Sequence, residues 1–246
     1  MLRIAVCFAA LLAAAVITPA VTSVANAKEG DGFMSLYDGE TMKGWDGDPK
    51  FWTIADGAIT GTTTKDNTTK GNTFCVFEKE FEGDFVLEFD FRIEGHNSGV
   101  QYRSFRLDGA ADKWRIGGYQ ADIDAKMDWA GTLYGERFRG ILAKRGEKTV
   151  LGEGTAPKKG GLARKVEKLG DPAELAKSIK PYPEWNTFRV VVKGFHYQHF
   201  INEKLMIDCL DNDEKNRRDK GLIALQLHAG PPMKVQFKNI KIKQDK

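Results

Sequence analysis

Helical periodicity is nearly missing from this sequence, and so are the short motifs that mark the commoner enzyme chemistries. There is no Gly-rich phosphate loop, no H-E-x-x-H, no C-x-x-C and no nucleophile elbow. Their absence removes nucleotide-dependent chemistry and the common zinc hydrolases. Charge of one sign is lacking too, with 37 Lys and Arg against 34 Asp and Glu. A surface so balanced gives no reason to expect nucleic acid or anionic lipid as a partner. Past residue 20 no run is apolar enough to span a bilayer.

The first residues do carry an apolar run. Arg3 is followed by apolar residues 4–20 and then by Ala25-Asn26-Ala27, an A-x-A pattern of the kind signal peptidases cut. We expect a signal peptide at 1–27, an exported chain in the periplasm or outside the cell, and one domain over 28–246 with no membrane span after cleavage. Of three cysteines Cys7 leaves with that segment; Cys75 and Cys209 remain, each beside apolar residues. In an oxidising compartment they are open to a disulfide or to burial as free thiols.

What is present is strand pattern. In 85–93, Phe85, Leu87, Phe89, Phe91 and Ile93 alternate with Glu88, Asp90 and Arg92. This period of two describes a sheet with one buried face. Similar segments lie at 52–60, 73–81, 99–105, 117–124, 187–193, 197–202, 222–228 and 234–243. Asn202-Glu203 marks a tight hairpin. Regular strands with few helices predict an all-β fold, a two-sheet antiparallel β-sandwich of the jelly-roll kind. The stretch 143–183, rich in Lys, Gly and Pro, reads as a long loop excursion bordering the site. Asp171-Pro172 opens a short helix within it, over 172–179.

Three strands share one further design. Val100 and Tyr102, then Tyr119, Ala121 and Ile123, then Ile223, Leu225 and Leu227 turn toward a core. The alternate positions hold Gln101 and Arg103, Gln120, Asp122 and Asp124, and Gln226 and His228. Periodicity alone fits a solvated outer face. The residue types favour recognition, because amides, Arg, Asp and His are fixed donors and acceptors for sugar hydroxyls. Tyr134, Trp129 and Trp114 are candidate platforms for a sugar ring, and Arg137 is a further candidate contact. Asp122, Asp124, Glu136 and His228 are the available acids and bases. Asp122 and Asp124 form a weak candidate cation pair. His196 and His199 fall on opposite strand faces, which argues against a shared metal site.

The segments N-S-G-V-Q-Y-R-S at 97–104, G-G-Y-Q-A-D-I at 117–123, G-T-L-Y-G-E at 131–136, P-E-W-N at 183–186 and G-L-I-A-L-Q-L-H-A-G-P-P-M at 221–233 resemble the 3-keto-disaccharide hydrolase domain family. L-Y-D-G at 36–39 and G-W at 44–45 are similar to the start of that domain. The resemblance implies a concanavalin A-like lectin/glucanase sandwich that cleaves glycosides whose glucose ring a separate sugar 3-dehydrogenase has oxidised at C3. A 3-keto group acidifies the C2 proton, so the C1 substituent can leave by elimination, followed by hydration. Carried onto this chain, His228 or Asp122 is the base and Glu136 or Asp124 the acid. Arg103, Gln120 and Gln226 become orienting or enolate-stabilising donors, with Gln101, Tyr134 and Arg137 as substrate contacts. No cofactor is required, although a divalent cation could serve as Lewis acid. The alternative is a lectin-like carbohydrate-binding module without turnover.

Overall fold

Phe85, Leu87, Phe89, Phe91 and Ile93 are all buried along the strand Phe85–Glu94, while Val86, Glu88, Asp90 and Arg92 between them stay half-exposed. The computed structural model describes residues 32–156 and 161–244, so the expected signal peptide lies outside the described residues. From Gly32 onward the chain forms one compact unit. None of its described helices is long and apolar enough to cross a membrane.

Two sheets face each other. The first runs, in spatial order, Arg164–Lys168, Glu147–Thr155, Lys204–Asp211, His196–Ile201, Asn186–Lys193, Phe85–Glu94, Met233–Gln244, Ala58–Thr63 and Trp52–Ala55. The second runs Gly140–Ala143, Leu133–Glu136, Ile116–Asp124, Asn97–Arg106, Lys220–Leu227, Thr73–Phe77 and Trp45–Asp46. Between them lies an aromatic core in which Phe89 stacks on Phe188 at 5.3 Å and meets Phe237 edge-on. Large rings at such spacing combine apolar burial with favourable quadrupole contact. The expected all-β jelly-roll sandwich is thus the fold of the chain.

The Asn202-Glu203 hairpin is a two-residue turn, with Ile201 opposite Lys204 and both turn residues at positive φ. Segment 52–60 differs from expectation. It holds two strands, folded back at Asp56-Gly57 with Ala55 opposite Ala58. Asp-Gly is itself a strong hairpin signal, so the turn was readable.

The stretch 143–183 is also more ordered than its composition implies. Strand Glu147–Thr155 adds to the first sheet in parallel with Lys204–Asp211, and Arg164–Lys168 closes the edge. Few side chains there, chiefly Thr149 and Leu151, are buried, so the edge strands lack an apolar row to read. The helix forms where expected but spans only Pro172–Ala176, with the Asp171 carboxylate accepting from Ala173 and Glu174 N–H. Beyond it, i to i+3 bonds carry the chain through Ile179. Cys75 and Cys209 are both buried and free, one in each sheet.

Candidate functional site

Strands Asn97–Arg106 and Ile116–Asp124 pair with Gln101 directly opposite Gln120, and Ala224 of Lys220–Leu227 faces Gln101 from the other side. This register brings three amides together. The Gln120 Oε1 accepts from Gln101 Nε2 at 3.1 Å and Gln226 Nε2 at 3.0 Å. Its own Nε2 is thereby turned to donate to Asp122 Oδ1 at 2.8 Å. Ser104 Oγ completes the chain by donating to Gln101 Oε1. All three amides are almost fully buried, so every satisfied polar atom matters to stability.

Over this floor lies a cleft of about 650 Å³. Gln120, Asp122 and Gln226 line it from the strands, with His228 just past the end of Lys220–Leu227; Tyr134, Glu136 and Arg137 line one side, and Trp129 stands at the rim. Burial is the main cause that pushes the Asp122 carboxyl up to about 8, with the nearby Glu136 and Asp124 carboxyls adding to it against the Gln120 hydrogen bond. Burial also raises Glu136, opposed by the Asn72 hydrogen bond, Arg137 and His228. His228 Nδ1 lies 2.6 Å from the Ala229 carbonyl oxygen. Because a carbonyl accepts only, this contact places a hydrogen on Nδ1, and Nε2 makes no hydrogen bond among the described residues.

Gln120, Asp122, Glu136, Tyr134, Arg137, Gln226 and His228 therefore meet at one cleft. Gln101 stands behind Gln120 and supports it rather than lining the cleft. Asp124 is turned away, its carboxylate accepting from the Trp129 N–H at 3.4 Å. It holds the loop 125–130 that carries Trp129, and Arg145 fixes the same loop through the Ala130 carbonyl at 2.7 Å. The Asp122 and Asp124 pair is split in this way, and among the described residues no group of three or more His, Cys, Asp or Glu converges as a metal cage. Trp114 lies elsewhere, bonded through Nε1 to Asp46.

Arg103 is a clear correction. A bulge between Tyr102 and Phe105 interrupts the alternation, and Arg103 sits at φ 48°. Its guanidinium donates to the carbonyls of Gly83, Gly194 and Arg218 and to Tyr197 Oη, sealing one end of the sandwich. The flanking strands accommodate the bulge with glycine: a Cβ at Gly221 would stand 2.3 Å from the Ser104 carbonyl oxygen, and one at Gly118 2.5 Å from Ser104 Oγ. Nor does any described residue of 143–183 line the cleft, because that stretch extends the first sheet.

Three residues escaped sequence reasoning. Asn72 ties the site together, donating from Nδ2 to Glu136 Oε1 at 3.2 Å while its Oδ1 accepts from Ala229 N–H at 3.0 Å. Asn97 lines the cleft with a buried Oδ1 that has no hydrogen-bond partner. His96 stacks on His228 at 4.5 Å, and burial, then His228 and Lys126, hold it below the usual imidazole range. Asn72 follows Gly71 at the end of a Thr-rich turn, which is a loop signal and nothing more.

A buried acid and an imidazole beside amide donors, in the cleft of a β-sandwich, define a glycosyl hydrolase-like or carbohydrate-binding protein. The chain belongs to the 3-keto-alpha-glucoside-1,2-lyase-like domain family, whose model matches residues 32–243. Among solved structures it is similar to two candidate glycosyl hydrolases of Parabacteroides distasonis ATCC 8503. One is 18% identical with a TM-score of 0.56, covering 87% of this chain and 94% of the other. The second is 17% identical with a TM-score of 0.54, covering 87% and 99%. The carbohydrate-binding module CBM66 of Bacillus subtilis is 16% identical with a TM-score of 0.50, covering 82% and 96%. At these identities the likeness is one of fold. No curated protein matches the chain.

Proposed function

We propose that the protein cleaves the glycosidic bond of 3-keto-glycosides by C1,C2 elimination followed by hydration. The observation that carries this reading is the pairing, in one cleft, of a carboxyl held protonated near neutral pH with an imidazole whose Nε2 makes no hydrogen bond among the described residues. A group that can give a proton and one that can take it, set in one cleft, are what acid and base assignments need. His228 Nε2 takes the C2 proton. The C–H electron pair forms the C1=C2 double bond as the C1–O bond breaks, and its electrons leave on the departing oxygen, which takes a proton from Glu136. Charge that builds on the 3-keto oxygen meets the protonated Asp122 carboxyl and the Gln120 amide. Water then adds across C1=C2: Glu136 accepts a proton as hydroxide joins C1, and His228, its proton exchanged with solvent after the leaving group departs, protonates C2. Substrate plus water gives two sugars with no net redox change.

A separate sugar 3-dehydrogenase must supply the ketone, and the leader pattern at 1–27 supports export. Incubation with 3-keto-trehalose or 3-keto-lactose beside the unoxidised sugars tests the reading, and a chelator arm shows whether a divalent cation contributes. Release of a 3-keto-monosaccharide from the oxidised sugars alone is expected. Binding without turnover of any ketosugar would overturn it in favour of a lectin-like module, a reading that the fold shared with a carbohydrate-binding module also supports.

A further inference from the structure

A second cleft, of about 690 Å³, adjoins the first, and Asn72, Glu136 and Arg137 line both. Its other walls include Phe51, Asn67, Thr68, Asp112 and Arg115, while Asp122 and His228 line the first cleft alone. We propose that this second cleft holds the departing half of the substrate as an uncharged, polyhydroxylated sugar, with the scissile bond lying over Glu136.

Resting on the proposed function, the inference adds which residues read the leaving group. A bond whose leaving oxygen takes its proton from Glu136 has one side in each cleft, because Glu136 is on the wall they share. The two spaces are of similar size, which suits a ring on either side. The lining of the second suits hydroxyls. Arg115 Nε is paired with Asp112 Oδ2 at 3.1 Å, a neutralised couple that offers donors and acceptors together. Asn67 and Thr68 add an amide and a hydroxyl, and the half-buried Phe51 ring adds an apolar surface. Lys50, Lys70, Arg115 and Arg137 stand against Asp48, Asp108, Asp112 and Glu136 around this cleft, so no one sign of charge dominates it. Arg115 is also fixed in place: its Nη1 lies 2.2 Å from where a Cβ on Gly71 would stand, against the segment that runs into Asn72.

The test compares kcat/KM for 3-keto-trehalose with that for methyl 3-keto-α-glucoside, whose leaving group is too small to reach the second cleft. Arg115→Ala removes the donor set. Thr68→Trp, at an exposed rim position, fills the space without touching the core. For each variant that retains wild-type thermal stability, the ratio of disaccharide to methyl glycoside is expected to fall at least fivefold. A ratio within fivefold of wild type in either stable variant overturns the inference while leaving the catalytic reading intact. Wild-type protein that cleaves neither substrate overturns the catalytic reading and this inference with it.

Discussion

Along Phe85–Glu94 the polar residues stand half-exposed and pair across the open face of the first sheet: Glu88 with Lys241 at 2.9 Å, Asp90 with Thr187 and Asn239, Arg92 with Gln236. Along Ile116–Asp124 every residue is buried, on both faces. The same alternation therefore produces a solvated surface in one central strand and an enclosed network in the other. The difference is covering. Loop 125–130 and the segment around Asn72 close over the second sheet beside its Leu133–Glu136 strand, so its amides and carboxyl lose water and must satisfy one another. Desolvation then raises Asp122 and Glu136.

Substitutions on the two faces should separate accordingly. His228→Ala should lower kcat on a 3-keto-disaccharide by about 10²–10⁴ fold, the usual contribution of a positioned base, measured in steady state. Asp122→Ala should cost about 10²–10³ fold, as for loss of one donor to a developing oxyanion. Asp122→Asn, which still donates, should retain more of the rate than Asp122→Ala. Equal losses would make Asp122 a base and remove the assignment of protonated donor.

The same carboxyl gives a pH signature. The unfolded chain releases the Asp122 proton near pH 4, as free Asp does, whereas the folded chain holds it to about 8. Between these values the native state binds the extra proton, so the Asp122 contribution to unfolding free energy falls as pH rises from about 4 to about 8 and is constant beyond. Asp122→Asn should flatten that fall in denaturant titrations across the window. Gln226→Leu should destabilise by about 1–3 kcal/mol, because it strips a donor from a buried network. Glu88→Ala, on the open face, should change stability by about 0.5 kcal/mol or less, both read from urea midpoints. Equal costs at Gln226 and Glu88 would erase the contrast between the two faces.

The sandwich was legible because its core strands obey a period of two, and Phe85 to Ile93 state it without interruption. The cleft was legible in part: Gln120, Asp122 and Gln226 sit on regular strands where alternation fixes direction, and His228 directly follows the strand Lys220–Leu227. Arg103 was misplaced because one bulge resets that alternation, and bulges leave little mark beyond the glycines facing them. Asp124 keeps the expected face but lies at a strand end, where loop N–H groups claim its carboxylate. Asn72 and His96 come from turns, whose approach to the site depends on contacts far apart in sequence. Covering itself, which separates a solvated Glu88 from a buried Gln120, is a tertiary property with no local pattern.

Cleavage in D2O puts the central claim to its most direct test. Brief incubation of 3-keto-trehalose with wild-type protein, followed by NMR of the released 3-ketoglucose, should find deuterium at C2 ahead of the enzyme-free control. His228→Ala should lose both the release and the label. Prompt release with protium retained at C2, or a His228→Ala protein that labels as fast as wild type, would contradict it.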